Sequence, residues 1–206
     1  MKVLMINGSP HANGNTAIGM QEMARELERR SIEVKWLHVG NKDIRGCIGC
    51  MYCRKHGRCV FNDIVNETAP LLEEADGVVV GSPVYFAQAN GTLTSFLTRL
   101  FYSTPFDKRM KAGAAIVACR RGGASAAFDQ LNKFFAISQM PIVSSQYWNS
   151  IHGREAGEAK EDYEGLQTMR TLGKNMAFML EAIQRQKEKS GLPEAESESI
   201  HTNFVR

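Results

Sequence analysis

No stretch of the 206-residue chain approaches the roughly 18 consecutive apolar residues that a bilayer-spanning helix needs. The N-terminal "MKVLMINGSP" carries too short an apolar run for a secretion signal. No run of five or six like charges occurs, and the formal net charge is only +3, so neither nucleic acid nor an acidic membrane surface has a motive as partner. Gly-Lys-Ser/Thr is absent, which excludes a nucleoside-triphosphatase phosphate loop, and so is G-x-G-x-x-G, the usual dinucleotide fingerprint. There is no internal repeat. Cysteine is scarce, with five residues, and four of them crowd into one short segment. A cytoplasmic chain keeps its thiols reduced, so a disulfide framework is a poor reading, and metal, cluster or redox chemistry gains weight.

What is present reads as a single soluble domain with 43% hydrophobic and 23% charged residues. Short β-rich runs at 2–6, 33–39, 77–82, 113–119 and 141–148 alternate with helical patterns at 15–31, 63–75, 91–102, 124–138 and 161–187. Three of the runs are almost continuously apolar, as strands buried on both faces are. The alternation predicts a parallel sheet covered by helices on both sides, with five strands in the order 2-1-3-4-5. Residues 1–187 are expected to form this domain. Residues 188–206 turn polar around Gly-Leu-Pro and are expected to form a surface tail.

Three loops follow strands at the end of the sheet where ligands bind. "INGSPHANGNTA" (6–17) offers the hydroxyls of Ser9 and Thr16, the amide of Asn15 and a helix N-terminus. Without lysine or Mg²⁺ such a loop suits a monophosphate held by neutral donors, as in flavin mononucleotide. Read without a ligand, it is a polar connection with an N-cap. In "GSPVYF" (81–86), Pro83 stiffens an apolar platform of Val84, Tyr85 and Phe86 that would flank a flat ring. In "CRRGGASAAFDQL" (119–131), Gly122 and Gly123 permit close backbone approach. Arg120 and Arg121 place positive charge where a reduced flavin develops negative charge. Cys119 reads as a small buried residue, with a redox role as its alternative.

These segments, "GSPHANGNT", "GSPVYF" and "CRRGGASAAFDQLNKFF", resemble the NADPH-dependent FMN reductase family, whose members have the flavodoxin-like fold. The resemblance implies that Ser9, His11, Asn15 and Thr16 hold the FMN phosphate. It also implies that Pro83, Val84, Tyr85 and Phe86 line the isoalloxazine, with Cys119 and Arg120 to Gly123 on its other side. Such reductases usually assemble as homodimers or homotetramers, and the cysteine loop and the C-terminal "HTNFVR" are the candidate contacts.

Cys47, Cys50, Cys53 and Cys59 lie within "GCIGCMYCRKHGRCV" (46–60). Three cysteines at x2 spacing resemble the ligand run of a [4Fe–4S] cluster, with the fourth at x5 and no following proline. That departs from bacterial ferredoxins and resembles the compact motif of the iron–sulfur flavoproteins. A cluster-free loop covering the flavin or a subunit contact is an equal reading, and a zinc site a third. The leading expectation is an FMN-dependent oxidoreductase taking two electrons from NAD(P)H to a small acceptor such as a flavin, quinone, nitro or azo compound. The alternatives are an electron carrier linking FMN, a [4Fe–4S] cluster and a ferredoxin-type partner, and a flavin-binding redox sensor.

Overall fold

The computed structural model describes residues 1–198, 200 and 202. The "HTNFVR" contact expected above therefore lies outside the described residues apart from Thr202. The elements in chain order are β1 (Lys2–Asn7), α1 (Asn15–Glu28), β2 (Glu33–His38), α2 (Tyr52–His56), α3 (Ile64–Glu74) and β3 (Gly77–Tyr85). There follow β4 (Gln88–Ala89), α4 (Gly91–Ser103), β5 (Ala112–Cys119), α5 (Ala124–Ile137), β6 (Ser150–His152), a 3₁₀ turn (Glu158–Lys160) and α6 (Tyr163–Ser190).

The sheet order is β2-β1-β3-β5-β6, and all of these strands pair in parallel. Leaving aside the two-residue β4, this is the expected 2-1-3-4-5 order. The alternating apolar positions of β1 explain the layering. Leu4 and Ile6 enter a core with Leu93, Phe96, Leu100 and Phe135 from α4 and α5. Val3 and Met5 enter the opposite core with Met20, Leu27, Met169 and Leu172 from α1 and α6. Each strand thus needs helices on both faces. Helix α6 runs to Ser190, past the expected end at 187. No helix among the described residues is long and apolar enough to cross a membrane.

Two local features depart from the sequence expectation. The last strand is not 141–148. Ile142 makes one bridge to Gly113, and the paired strand forms only at Ser150–His152. Between them the Ser145 hydroxyl lies 2.7 Å from both Tyr147 O and Asn149 Oδ1 and can donate to either, so side-chain bonding draws the backbone off the ladder. The second feature is β4, which pairs antiparallel with Val84–Tyr85 through a two-residue turn. Phe86 and Ala87 both adopt left-handed φ values of 50° and 59°, the twist that a tight hairpin demands.

Candidate functional site

The loops after β1, β3 and β5 meet in a cleft of about 490 Å³, lined by Ser9, His11, Asn15, Thr16, Pro83, Val84, Tyr85, Cys119 and Arg120. It lies where the strand order reverses between β1 and β3, the position at which flavodoxin-like folds hold FMN. The first loop is braced from several sides. Asn7 Oδ1 accepts from Ser9 N (2.9 Å), and Ser9 Oγ accepts from His11 N (3.2 Å). Asn90 Nδ2 donates to Gly8 O (2.6 Å), and the buried Asn90 N–H reaches Ser82 Oγ (2.9 Å), tying the first loop to the third. Gly40 is needed here, because a Cβ on it would stand 2.0 Å from Ser9 O.

No side chain caps α1, which starts beyond Gly14. Its first backbone N–H groups therefore offer donors and a positive dipole end to an anion, with the buried Thr16 beside them. Arg120 adds positive charge to the wall, while Arg154 is paired with Glu155 at 3.2 Å. Burial pushes the Cys119 thiol up, and a hydrogen bond from the Arg121 backbone offsets only part of this, so the sulfur stays a thiol.

Four residues proposed as ring contacts stand outside the cleft lining: Phe86, Arg121, Gly122 and Gly123. The left-handed turn throws Phe86 fully into solvent. Gly123, at φ 83°, lies against the hairpin, since its Cβ would come within 2.8 Å of Ala87 Cα. Asn15 reaches the cleft, but its amide is engaged elsewhere. It donates to Glu155 O (2.9 Å) and accepts from Gly157 N (3.1 Å) and Ala159 N (3.2 Å).

That brace brings in a fourth wall, Gly153 to Ala156, which the sequence reading did not identify. Its one local signal was the first glycine, Gly153, in "IHGREAG". A Cβ at Gly153 would meet Asn15 Nδ2 at 2.7 Å.

The cysteine segment leaves the same end of the sheet but does not stay there. It folds back along α4, with Gly46 near Ser95 and Gly57 against Pro105. Left-handed Gly49 and Met51 flank Cys50 and turn the chain into α2, which carries Cys53 and ends at left-handed Gly57. Cys47, Cys50, Cys53 and Cys59 are free and line one small cavity with Phe61, Arg99 and Tyr102. This cavity shares no lining residue with the cleft. Arg99 is nine residues beyond the Asn90 cap of α4, about 14 Å at 1.5 Å per residue. Within one chain the loop is thus a flank chamber, not a cover over the cleft.

Two residues absent from the sequence reading build that chamber. Asn66 on α3 accepts from Cys59 N (2.9 Å) and donates to Cys59 O (3.0 Å) and Phe61 O (2.9 Å). Arg99 reaches Cys59 Sγ with its Nε at 3.2 Å. The signal for Arg99 was a lone cation in an otherwise apolar stretch, "FLTRLF".

A parallel sheet whose carboxyl-end loops close on one cleft at the β1/β3 reversal defines a flavodoxin-like flavoprotein. Solved structures agree on the fold. RosB, determined with 8-demethyl-8-formylriboflavin 5′-phosphate bound, superposes with a TM-score of 0.71 at 14% identity, covering 100% of this chain and 94% of that one. The NAD(P)H:quinone oxidoreductase of Methanothermobacter marburgensis does so with a TM-score of 0.63 at 15% identity, covering 85% and 96%.

Residues 1–155 match the NADPH-dependent FMN reductase family, and the chain belongs to that family. It is a flavin-dependent oxidoreductase. Among curated relatives, an iron–sulfur flavoprotein of Methanocaldococcus jannaschii is 34% identical over 196 residues, spanning 90% of this chain and all of that one. An iron–sulfur flavoprotein of Methanosarcina thermophila is 27% identical, spanning 92% and 100%.

Proposed function

We propose that this chain is an electron-transfer flavoprotein that binds FMN in the three-loop cleft and a [4Fe–4S] cluster on Cys47, Cys50, Cys53 and Cys59, exchanging electrons with a ferredoxin-type protein. The observation that carries this reading is the chamber itself. Four cysteines line one cavity on the flank of α4, apart from the cleft, so within the chain the loop does not cover the flavin position. Among the described residues no three His, Cys, Asp or Glu side chains converge closely enough to share one ion. Four cysteines on one cavity match the ligand count of a [4Fe–4S] cluster, one thiolate per iron. The curated relatives named above carry the same designation.

Bound flavin supplies hydride and single-electron chemistry, and a cluster supplies single-electron chemistry. The chain's own part is positioning and electrostatics. Ser9, Thr16 and the first amides of α1 would hold the phosphate, and Pro83, Val84 and Tyr85 would flank the ring. Arg120 would offset negative charge at the ring edge. Asn15 acts one step away by fixing the Gly153–Ala156 wall.

Anaerobic purification with absorbance, iron, acid-labile sulfide and flavin assays on one sample tests the reading. Roughly four irons and one FMN per chain, the content of such a site, are expected. FMN without iron would return the second reading, an NAD(P)H-driven reductase of a small acceptor. That reading is favoured by the family matched over residues 1–155 and by the exposed edge of Tyr85 at the cleft. Direct turnover of NADH or NADPH with a quinone or nitroaromatic acceptor would establish it.

A further inference from the structure

Arg99 is 1% exposed, on a helix whose neighbouring Phe96, Leu97 and Leu100 are fully buried. A guanidinium in such a place needs partners for nearly every N–H, since the desolvation cost of an unpaired buried cation is several kcal/mol. Four of its five donors are engaged. Two parallel bonds of 2.8 Å go to Asp63, one of 3.1 Å goes to Arg45 O, and Nε donates to Cys59 Sγ at 3.2 Å. The plane also lies over the Phe61 ring, 5.0 Å from its centroid.

Asp63 in turn caps α3, and Asn66 on the same helix grips Cys59 through both of its backbone polar groups. Cys59 is thus held at N–H, C=O and sulfur by rigid helices. The sulfurs of Cys47, Cys50 and Cys53 have no such hydrogen bond among the described residues, and Cys47 and Cys50 lie exposed on an irregular segment.

We infer that Arg99 is a positioning residue that presets Cys59 as the anchoring ligand of the chamber and, through its Nε–H···S bond, makes a cluster seated there easier to reduce. The inference rests on the cluster reading above. Hydrogen bonds to the sulfurs of a cluster stabilise the extra negative charge of its reduced form. Asp63 balances the formal charge of Arg99, so the directed N–H bond carries the effect rather than a net positive field.

The test compares loaded wild type with Arg99→Gln and Arg99→Lys, all purified anaerobically. Lysine keeps a cation near Asp63 but cannot hold the fork and aim Nε–H at the sulfur, so it keeps the test open if the glutamine variant does not fold. Three quantities are read: iron per chain, the rate of iron loss to a chelator, and the one-electron reduction potential titrated with dithionite and mediators under EPR. Thermal unfolding of each sample checks the fold.

In the variants, iron release should accelerate about tenfold or more, the scale of a lost outer-shell contact, and the potential should move negative. A folded, loaded variant with wild-type release and potential overturns the role of Arg99 and leaves the cluster reading standing. Wild type without iron defeats the cluster reading, and this inference with it.

Discussion

Asn15 gives the sharpest test of how the cleft is built. Its side chain makes three hydrogen bonds to the 153–159 segment, at 2.9, 3.1 and 3.2 Å. These sites are partly exposed, so each bond takes the low end of the usual net value, about 0.5 kcal/mol. Asn15→Ala should then free the fourth wall at a cost of about 1.5 kcal/mol, or about tenfold in the Kd for FMN. Gly153→Ala attacks the same brace from the other side, because its Cβ would sit 2.7 Å from Asn15 Nδ2 and 2.9 Å from Ala159 N. Each single variant should weaken FMN about tenfold, and the double variant little more, since both remove one shared unit. Titration of apoprotein with FMN by flavin fluorescence quenching reads all four corners of the cycle. Wild-type affinity in Asn15→Ala, or a double variant weakened by the product of the singles, would refute the brace.

Three further outcomes follow from the same cleft. Arg120→Ala should make bound FMN harder to reduce by about tenfold in equilibrium constant, about 30 mV for two electrons, because the exposed cation no longer offsets the charge of the reduced ring; an unchanged potential in an anaerobic redox titration removes the residue from this role. Phe86→Gly should raise Tm, because relief of a left-handed residue is worth about 1 kcal/mol and a chain of this size gains about 2–4 °C for that. Phe86 buries nothing, so a calorimetric Tm at or below wild type would mean that the turn carries no strain. Glu158 accepts from the backbone N–H groups of Glu155 and Arg154, and these bonds hold its pKa below the ordinary glutamate value. Their stabilisation of the fourth wall is complete above that value, about 4.3, and is lost as pH falls through the lower folded pKa. FMN affinity should weaken over that acid range in wild type, while Glu158→Gln should be weaker at neutral pH and flatter below; parallel profiles would sink the idea.

What the chain determines by itself is whatever depends on neighbours in sequence. Continuous apolar runs such as 77–82 read as strands because a strand buried on both faces needs a side chain for each. Once the sheet is parallel, chain direction alone puts the loops at 6–17, 81–86 and 119–123 at one end, so the cleft was legible before any packing was known. The x2 spacing of Cys47, Cys50 and Cys53 is local in the same way.

Tertiary structure decided everything that rests on distant partners or on the sign of one dihedral angle. Arg99 meets Asp63 36 positions away, and Asn15 meets Glu155 140 positions away. No pattern of period 2 or 3.6 encodes either pairing. A positive φ at Phe86 places it at an exposed hairpin tip, and an excursion held by Ser145 and Asn149 moved the last strand to Ser150–His152. The path of the cysteine segment was settled by Asn66 and Arg99, which hold Cys59 against α3 and α4. Its departure point after β2 fixed only where it begins, because an irregular segment goes wherever its buried polar groups find partners.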